Sequence, residues 1–321
     1  MTQTIPTDLQ PNQRDFSFDL NESFAAVVSI KASVPEDAFT AQILGTERAG
    51  HGVIIGESGL IATIGYLVTE AENIWIQCVD GTILPGDLIG YDYESGFGLV
   101  QPLGKLNVNS LPVGSGENLQ QGSSNILAGF GGAGQAIVTE VAVKTEFVGY
   151  WEYILDEAIY TSPAHPNWGG APLIGADGKL YGIGSLYTQE VPGYPAGTEG
   201  NVIVPIDLLT SIQDELLRYG QTLKPARPWL GMFAAEADDK LVVAGVYDDA
   251  PAAQADLRAG DEIVSISDQI VGSLAELFRH VWSVGEAGVT VPIKIRRDGQ
   301  LMQVHVRSSD RRTHWKSPNL H

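Results

Sequence analysis

From Ala25 to Val204 the chain is a succession of short runs rich in β-branched residues, broken by Gly, Pro and Asn-type turns, with hardly any helical periodicity. That spacing predicts an all-β barrel or sandwich, because strands of a few residues bury their apolar faces only by pairing into sheets. An internal echo sharpens the expectation. Gly52-Val53-Ile54-Ile55, followed after three residues by Gly59-Leu60-Ile61, is similar to Ala171-Pro172-Leu173-Ile174 followed by Gly178-Lys179-Leu180. Two related hairpins predict two similar barrel halves. The pattern then changes. Pro205 to Tyr219 carries one apolar stripe (Leu208, Leu209, Ile212, Leu216, Leu217), with Asp207 as candidate cap and Gly220 as stop, which predicts a helix. Gln221 to Pro228, with Pro225 and Pro228, reads as a linker. A second helix is expected from Ser273 to Val284, and Arg297-Asp298-Gly299 is a hairpin turn.

Charge narrows the partners. The 321 residues carry a net charge of −20, unevenly placed: before residue 294 there are 12 Lys+Arg against 37 Asp+Glu, and from Lys294 onward 7 against 2. So acidic a body argues against nucleic acid or an anionic membrane as partner. The basic end (Arg307, Arg311, Arg312, Lys316) is expected to be a solvated tail or to dock an acidic surface. Hydrophobic residues make up 44% of the chain, enough for packed cores. No run approaches the roughly 18 apolar residues of a membrane helix, and Met1 to Asn21 lacks the pattern of a secretory signal if Met1 is the true start. The expectation is a cytoplasmic protein. Cys78, the single cysteine, alternates with Ile74 and Ile76 and reads as core. Metal-ligand spacings and phosphate loops are absent, so no cofactor and no metal are expected.

Asn167-Trp168-Gly169-Gly170-Ala171-Pro172-Leu173, with Gly178 to Gly184 behind it, resembles the active-site turn and following hairpin of HtrA/Deg-type, trypsin-like serine proteases. That family keeps its serine where this chain has Trp168. Ile61 to Val68 is similar to the segment bearing the catalytic His, with Tyr66 in its place. Gly90 to Val100 is similar to the segment bearing the triad Asp, with Gly96 in its place. An indole supplies no acyl-forming nucleophile. A phenol near its ordinary pKa of about 10 is a poor base at neutral pH. Pro166, before Asn167, falls where the family has a glycine whose N–H serves the oxyanion, and proline has none to offer. The resemblance thus implies a double β-barrel whose triad positions (Tyr66, Gly96, Trp168) and oxyanion turn (Pro166, Asn167) are degenerate.

Arg227 to Arg307 resembles an HtrA-type PDZ domain. Trp229-Leu230-Gly231-Met232 matches its carboxylate-binding loop, and Pro251 to Val264 matches its Pro-Ala…Gly-Asp-x-Ile segment. By that resemblance a peptide C-terminus is held on the loop's N–H groups with Arg227 nearby, while Leu277, Phe278 and Val281 shape the terminal pocket. On their own spacing, a helix–core contact is the favoured reading of each of these three apolar residues.

The expected organisation is a mainly β chain. A polar N-terminal segment (1–21) precedes a trypsin-like double β-barrel (22–220), a linker (221–228), a PDZ domain (α+β, 229–307) and a basic C-terminal tail (308–321). The expected function is a non-catalytic pseudoprotease acting as a protein-binding scaffold, adaptor or chaperone-like subunit. Its expected partner is a polypeptide, with the partner's C-terminus as the candidate point of attachment. A homo-oligomer, with a trimer slightly favoured and Phe16, Phe18 and Phe24 as contact candidates, or a hetero-complex is expected. The alternative is a hydrolase with a rearranged active site drawing on His165, Ser162 or Tyr66. A third reading places an aromatic small molecule against Trp168, Tyr66 and Tyr91.

Overall fold

The computed structural model describes residues 5–316. These divide into two units: one comprises 5–146, 156–222 and 316, the other 147–155 and 223–315.

The first unit contains both barrels. A short helix α1 (Leu20–Ala25), capped by Asp19, leads into strands β1 (Val27–Ser33) and β2 (Glu47–Ile55), with a single helical turn α2 (Ala41–Leu44) between them. Then follow β3 (Leu60–Ile64), β4 (Asn73–Gln77), β5 (Ile83–Tyr91) and β6 (Phe97–Pro102). These close in the order β1-β2-β3-β6-β5-β4. The second barrel uses β7 (Ser124–Ala128), β8 (Ala136–Gly149), β9 (Tyr153–Ser162), β10 (Pro172–Ile174), β11 (Leu180–Thr188) and β12 (Gly200–Pro205). It closes as β10-β11-β12-β9-β8-β7, the same winding. Closure leaves neither barrel an open sheet edge.

The halves repeat, but the echoed hairpins are not equivalent. β2–β3 joins the second and third strands of its barrel, whereas β10–β11 joins the fourth and fifth. The shared pattern reflects a common local form, an apolar strand, a Gly turn and an apolar strand, rather than a common place in the barrel.

Helix α3 (Ile206–Tyr219) buries Ile206, Leu209, Ile212 and Leu216 and ends at Gly220 in the left-handed region (φ 71°). Pro205 is its N-cap. Asp207 lies inside the first turn, where its carboxylate accepts from Ser115 Oγ (2.9 Å) and Gly116 N (2.6 Å). The expected cap instead ties the helix to the loop before β7. The N-terminal segment is not merely polar: Ile5 is buried in the second barrel's core with Leu127, Ile159 and Leu173. Cys78 is buried, as its alternation predicts.

The second unit is a twisted sheet, β13 (Met232–Ala237), β14 (Lys240–Val246), β15 (Glu262–Ile266), β17 (Thr290–Arg297), β18 (Gln300–Arg307), with the short β16 (Gln269–Ile270) on β15. A single turn α4 (Pro251–Gln254) and helix α5 (Leu274–Ser283) complete it. Ser273 caps α5 by accepting from Glu276 N, and Glu276 returns to accept from Gly272 N (2.8 Å), a reciprocal capping box shifted by one residue. β13 is an edge strand. This unit also takes in the tip of the β8–β9 hairpin. The basic end is anchored rather than frayed: Arg311 is 8% exposed, and the Lys316 N–H donates to Glu70 within the first unit.

Candidate functional site

Two places hold the residues singled out by the sequence, one in each unit. Between the barrels, Tyr66 and Trp168 meet. The Trp168 side chain hydrogen-bonds the Tyr66 phenol, and since an indole N–H can only donate, the phenol oxygen accepts. The phenol donates in turn to the Ser185 carbonyl at 2.9 Å. Burial pushes the Tyr66 hydroxyl well above its ordinary value, so it remains a protonated donor. Gly96 sits beside them: its carbonyl takes the Gly65 N–H at 2.7 Å, its own N–H goes to Asp92 O, and its φ is 85°. Tyr66 and Trp168 are thus in direct contact, and Gly96 is tied to the backbone next to Tyr66 through Gly65.

The turn before Trp168 is tightly wired. His165 is fully buried; its Nδ1 accepts from Asn167 N (2.9 Å), and its Nε2 faces the Gln135 carbonyl (2.8 Å). This pairing fixes the Nε2–H tautomer and leaves neither ring nitrogen open as a base. His51 lies next to it, with Nδ1 accepting from Phe130 N at 3.1 Å. Burial, reinforced by the neighbouring His165, lowers the His51 pKa to about 4, and burial lowers His165 too. Both imidazoles are neutral at pH 7. Ser162 donates to the Glu199 carbonyl at 2.9 Å, away from His165. Among the sequence candidates for a rewired hydrolase, His165 and Ser162 therefore form no nucleophile–base pair. Asp92, close to Gly96 in the chain, is buried and accepts from Ser95 N. Tyr91 packs against Gly65.

A cavity of about 460 Å³ opens beside the turn, lined among others by Ile137, Pro166, Trp168, Tyr187 and Glu199. Trp168 and Tyr187 lie 5.7 Å apart, and the Tyr187 hydroxyl bonds the Glu199 side chain. Glu199 is the residue that sequence reasoning missed. It sits in a Gly-rich turn and reaches the cavity only through folding. Among the described residues no cluster of His, Cys, Asp or Glu is placed to hold a metal.

In the second unit the loop Trp229–Met232 turns at Gly231 (φ 74°), where a Cβ would collide with Ala250. Its N–H groups converge on one acceptor. The Glu152 carboxylate accepts from Leu230 N (3.1 Å), Gly231 N (2.8 Å) and Met232 N (3.2 Å). Leu277, Phe278 and Val281 are buried in the core behind β13. The Arg227 guanidinium stacks over Trp282 at 4.3 Å. The guanidinium that draws Glu152 electrostatically is Arg311.

Comparison with known proteins agrees with this layout. The trypsin-like peptidase domain family matches residues 50–183, and the PDZ domain family matches 228–307. The chain is 28% identical over 279 residues to the probable periplasmic serine endoprotease DegP-like of Pseudomonas fluorescens, covering 81% of this chain and 56% of that protein. It is 25% identical over 280 residues to the probable periplasmic serine protease do/HhoA-like of Haemophilus influenzae, covering 80% and 57%. The chain thus spans about half the length of the curated relatives it matches. Among solved structures it superposes on the HtrA-type protease AlgW with decapeptide (TM-score 0.54, 19% identity, 92% of this chain and 99% of that one). It also superposes on the serine endoprotease from Yersinia pestis (TM-score 0.51, 22% identity, 91% and 98%). These relatives correct two expectations. Their names are those of serine endoproteases, which overturns the non-catalytic pseudoprotease scaffold and favours the alternative of a hydrolase. They are named periplasmic, which overturns the cytoplasmic location. Two same-wound barrels in the first unit, a PDZ-type sheet in the second and relatives matching across both regions support an HtrA-type family for this chain.

Proposed function

We propose that this chain is a periplasmic, HtrA-type hydrolase of polypeptides that works through a rearranged site. The observation that supports it is the similarity, over four-fifths of the chain and both domains, to proteins named serine endoproteases. The chemistry is assigned to the cavity beside Trp168. Glu199 is the base: it takes a proton from water as the water oxygen bonds to the scissile carbonyl carbon. The Tyr66 O–H and Trp168 N–H, committed to the Ser185 carbonyl and to the Tyr66 phenol, fix the Trp168 wall of that cavity. The proton on Glu199 then passes to the departing amine nitrogen as the C–N bond breaks. The PDZ groove binds polypeptide, and its preference for C-termini belongs to the same reading. We further propose that the chain assembles into oligomers, with a trimer as the first arrangement to test.

Incubating the protein with unfolded casein and following fragments by mass spectrometry tests the activity. Cleavage is expected, with a fall of roughly 100-fold or more on Glu199→Gln. A serine-directed fluorophosphonate should leave the protein unlabelled, because no serine attacks in this scheme. An intact substrate with the parent protein overturns the reading.

A further inference from the structure

The second unit already contains something shaped like a peptide ligand, and it comes from this chain. A C-terminal peptide bound by strand addition presents three features: a carboxylate on a loop of N–H groups, a main-chain bond to the edge strand, and an apolar side chain in a pocket. Residues 147–155 present all three. Glu152 places its carboxylate on Leu230, Gly231 and Met232. Two residues earlier, the Tyr150 carbonyl accepts from Ala234 N of the open edge strand β13 at 3.1 Å, and its ring lies 5.9 Å from Phe233. Ile154, 7% exposed, joins the apolar cluster that includes Leu230, Met232, Leu277, Phe278 and Val281. Glu152 holds φ at 61°, a backbone conformation that costs a non-glycine residue energy and persists only where contacts enforce it. Chance packing of a loop does not ordinarily satisfy three converging amides and an edge strand together.

We propose that the 147–155 hairpin tip is an internal ligand of the PDZ groove, and that polypeptides ending in a free carboxylate after an apolar residue bind only by displacing it. This rests on the reading of that groove as a peptide receptor. The tip also indicates what the incoming chain looks like: a carboxylate, an aliphatic side chain for the seat of Ile154, and an aromatic residue two positions before the carboxylate. Bulk affinity is then lowered by the fraction of molecules whose groove is vacant.

The test uses the full chain, its Glu152→Ala variant, and a fluorescein-labelled decapeptide ending in Tyr-Ala-Ile with a free carboxylate. The same peptide as its C-terminal amide is the control. Hydrogen exchange at Leu230, Gly231, Met232 and Ala234 reports the groove without peptide. These amides should be protected in the parent and exchange faster in the variant, and anisotropy should show roughly tenfold or tighter binding by the variant, lost with the amide peptide. Equal affinity of parent and variant overturns the competition. Faster exchange with no peptide binding by the variant overturns the receptor reading and the competition with it. A second variant, Glu152→Gln, keeps the test decisive if Glu152→Ala fails to fold: it preserves the side chain's size but removes its charge from the loop amides, so it should also bind the peptide more tightly than the parent, and equal affinity overturns the competition.

Discussion

Single residues decide how firmly the space between the barrels is held. The Tyr66 phenol bridges β-barrel to β-barrel through the Ser185 carbonyl, 119 residues away. Tyr66→Phe removes the donor and leaves that carbonyl without it, a loss of about 1–3 kcal/mol when the site is dry. A lower midpoint in urea with an unchanged slope is the expected result, and an unchanged midpoint would show that water replaces the phenol. His51 sets a pH dependence. Its folded pKa is about 4, below the ordinary 6.5, chiefly through burial. The stability it contributes is therefore whole above pH 6.5 and is lost as the pH falls toward 4, because the unfolded chain takes the proton first. The full loss is on the order of 3 kcal/mol. Comparing urea midpoints at pH 7 and pH 5 should show a smaller drop for His51→Gln than for the parent.

At the scale of elements, the hairpin tip is where sequence and structure part most usefully. The barrels were legible because alternating runs and Gly turns leave strands few alternatives, and α5 was legible because its apolar residues recur at helical spacing. The Glu152 contact was not, since it pairs an ordinary carboxylate with amides 78 to 80 residues away. One signal was present: Phe147 to Tyr153 is aromatic-rich, while an exposed tip is normally small and polar. Trp168, Tyr66 and Gly96 were found because the turn motifs around them fix the frame. Glu199 was not, because no local pattern marks it. The tip also carries its own pH response. Glu152 is pushed up to about 7 by burial, against the pull of the three amides and Arg311, with Tyr247 the other titratable group facing it. A carboxyl raised above its free value of 4.5 favours docking most below 4.5, and that advantage fades as the pH rises through 7. Hydrogen exchange at Leu230 to Met232, corrected for intrinsic rates, should show weaker protection at pH 8.5 than at pH 5.5. Equal protection would mean the carboxylate stays ionised in place.

For the whole molecule, the division of the chain matters more than the order of its domains. The sequence of 221–228, read as a linker, suggests that the region after it can be excised cleanly, yet the second unit also takes in 147–155 from far upstream. A fragment of 223–315 would leave three loop amides without the Glu152 acceptor and empty the place of Ile154 in the core. Filling that place with a buried isoleucine is worth roughly 1.5–3 kcal/mol, and amides that regain water recover part of the rest. The fragment should therefore fold but melt lower than the same unit in the full chain, and its groove should be open. A synthetic peptide of residues 147–155 added in trans should raise its melting temperature in a concentration-dependent way, as any ligand of the folded state does. The same peptide with glutamine at the position of Glu152 should do so less. A fragment as stable as the unit in the full chain, and indifferent to the peptide, would show that the tip merely rests on the sheet.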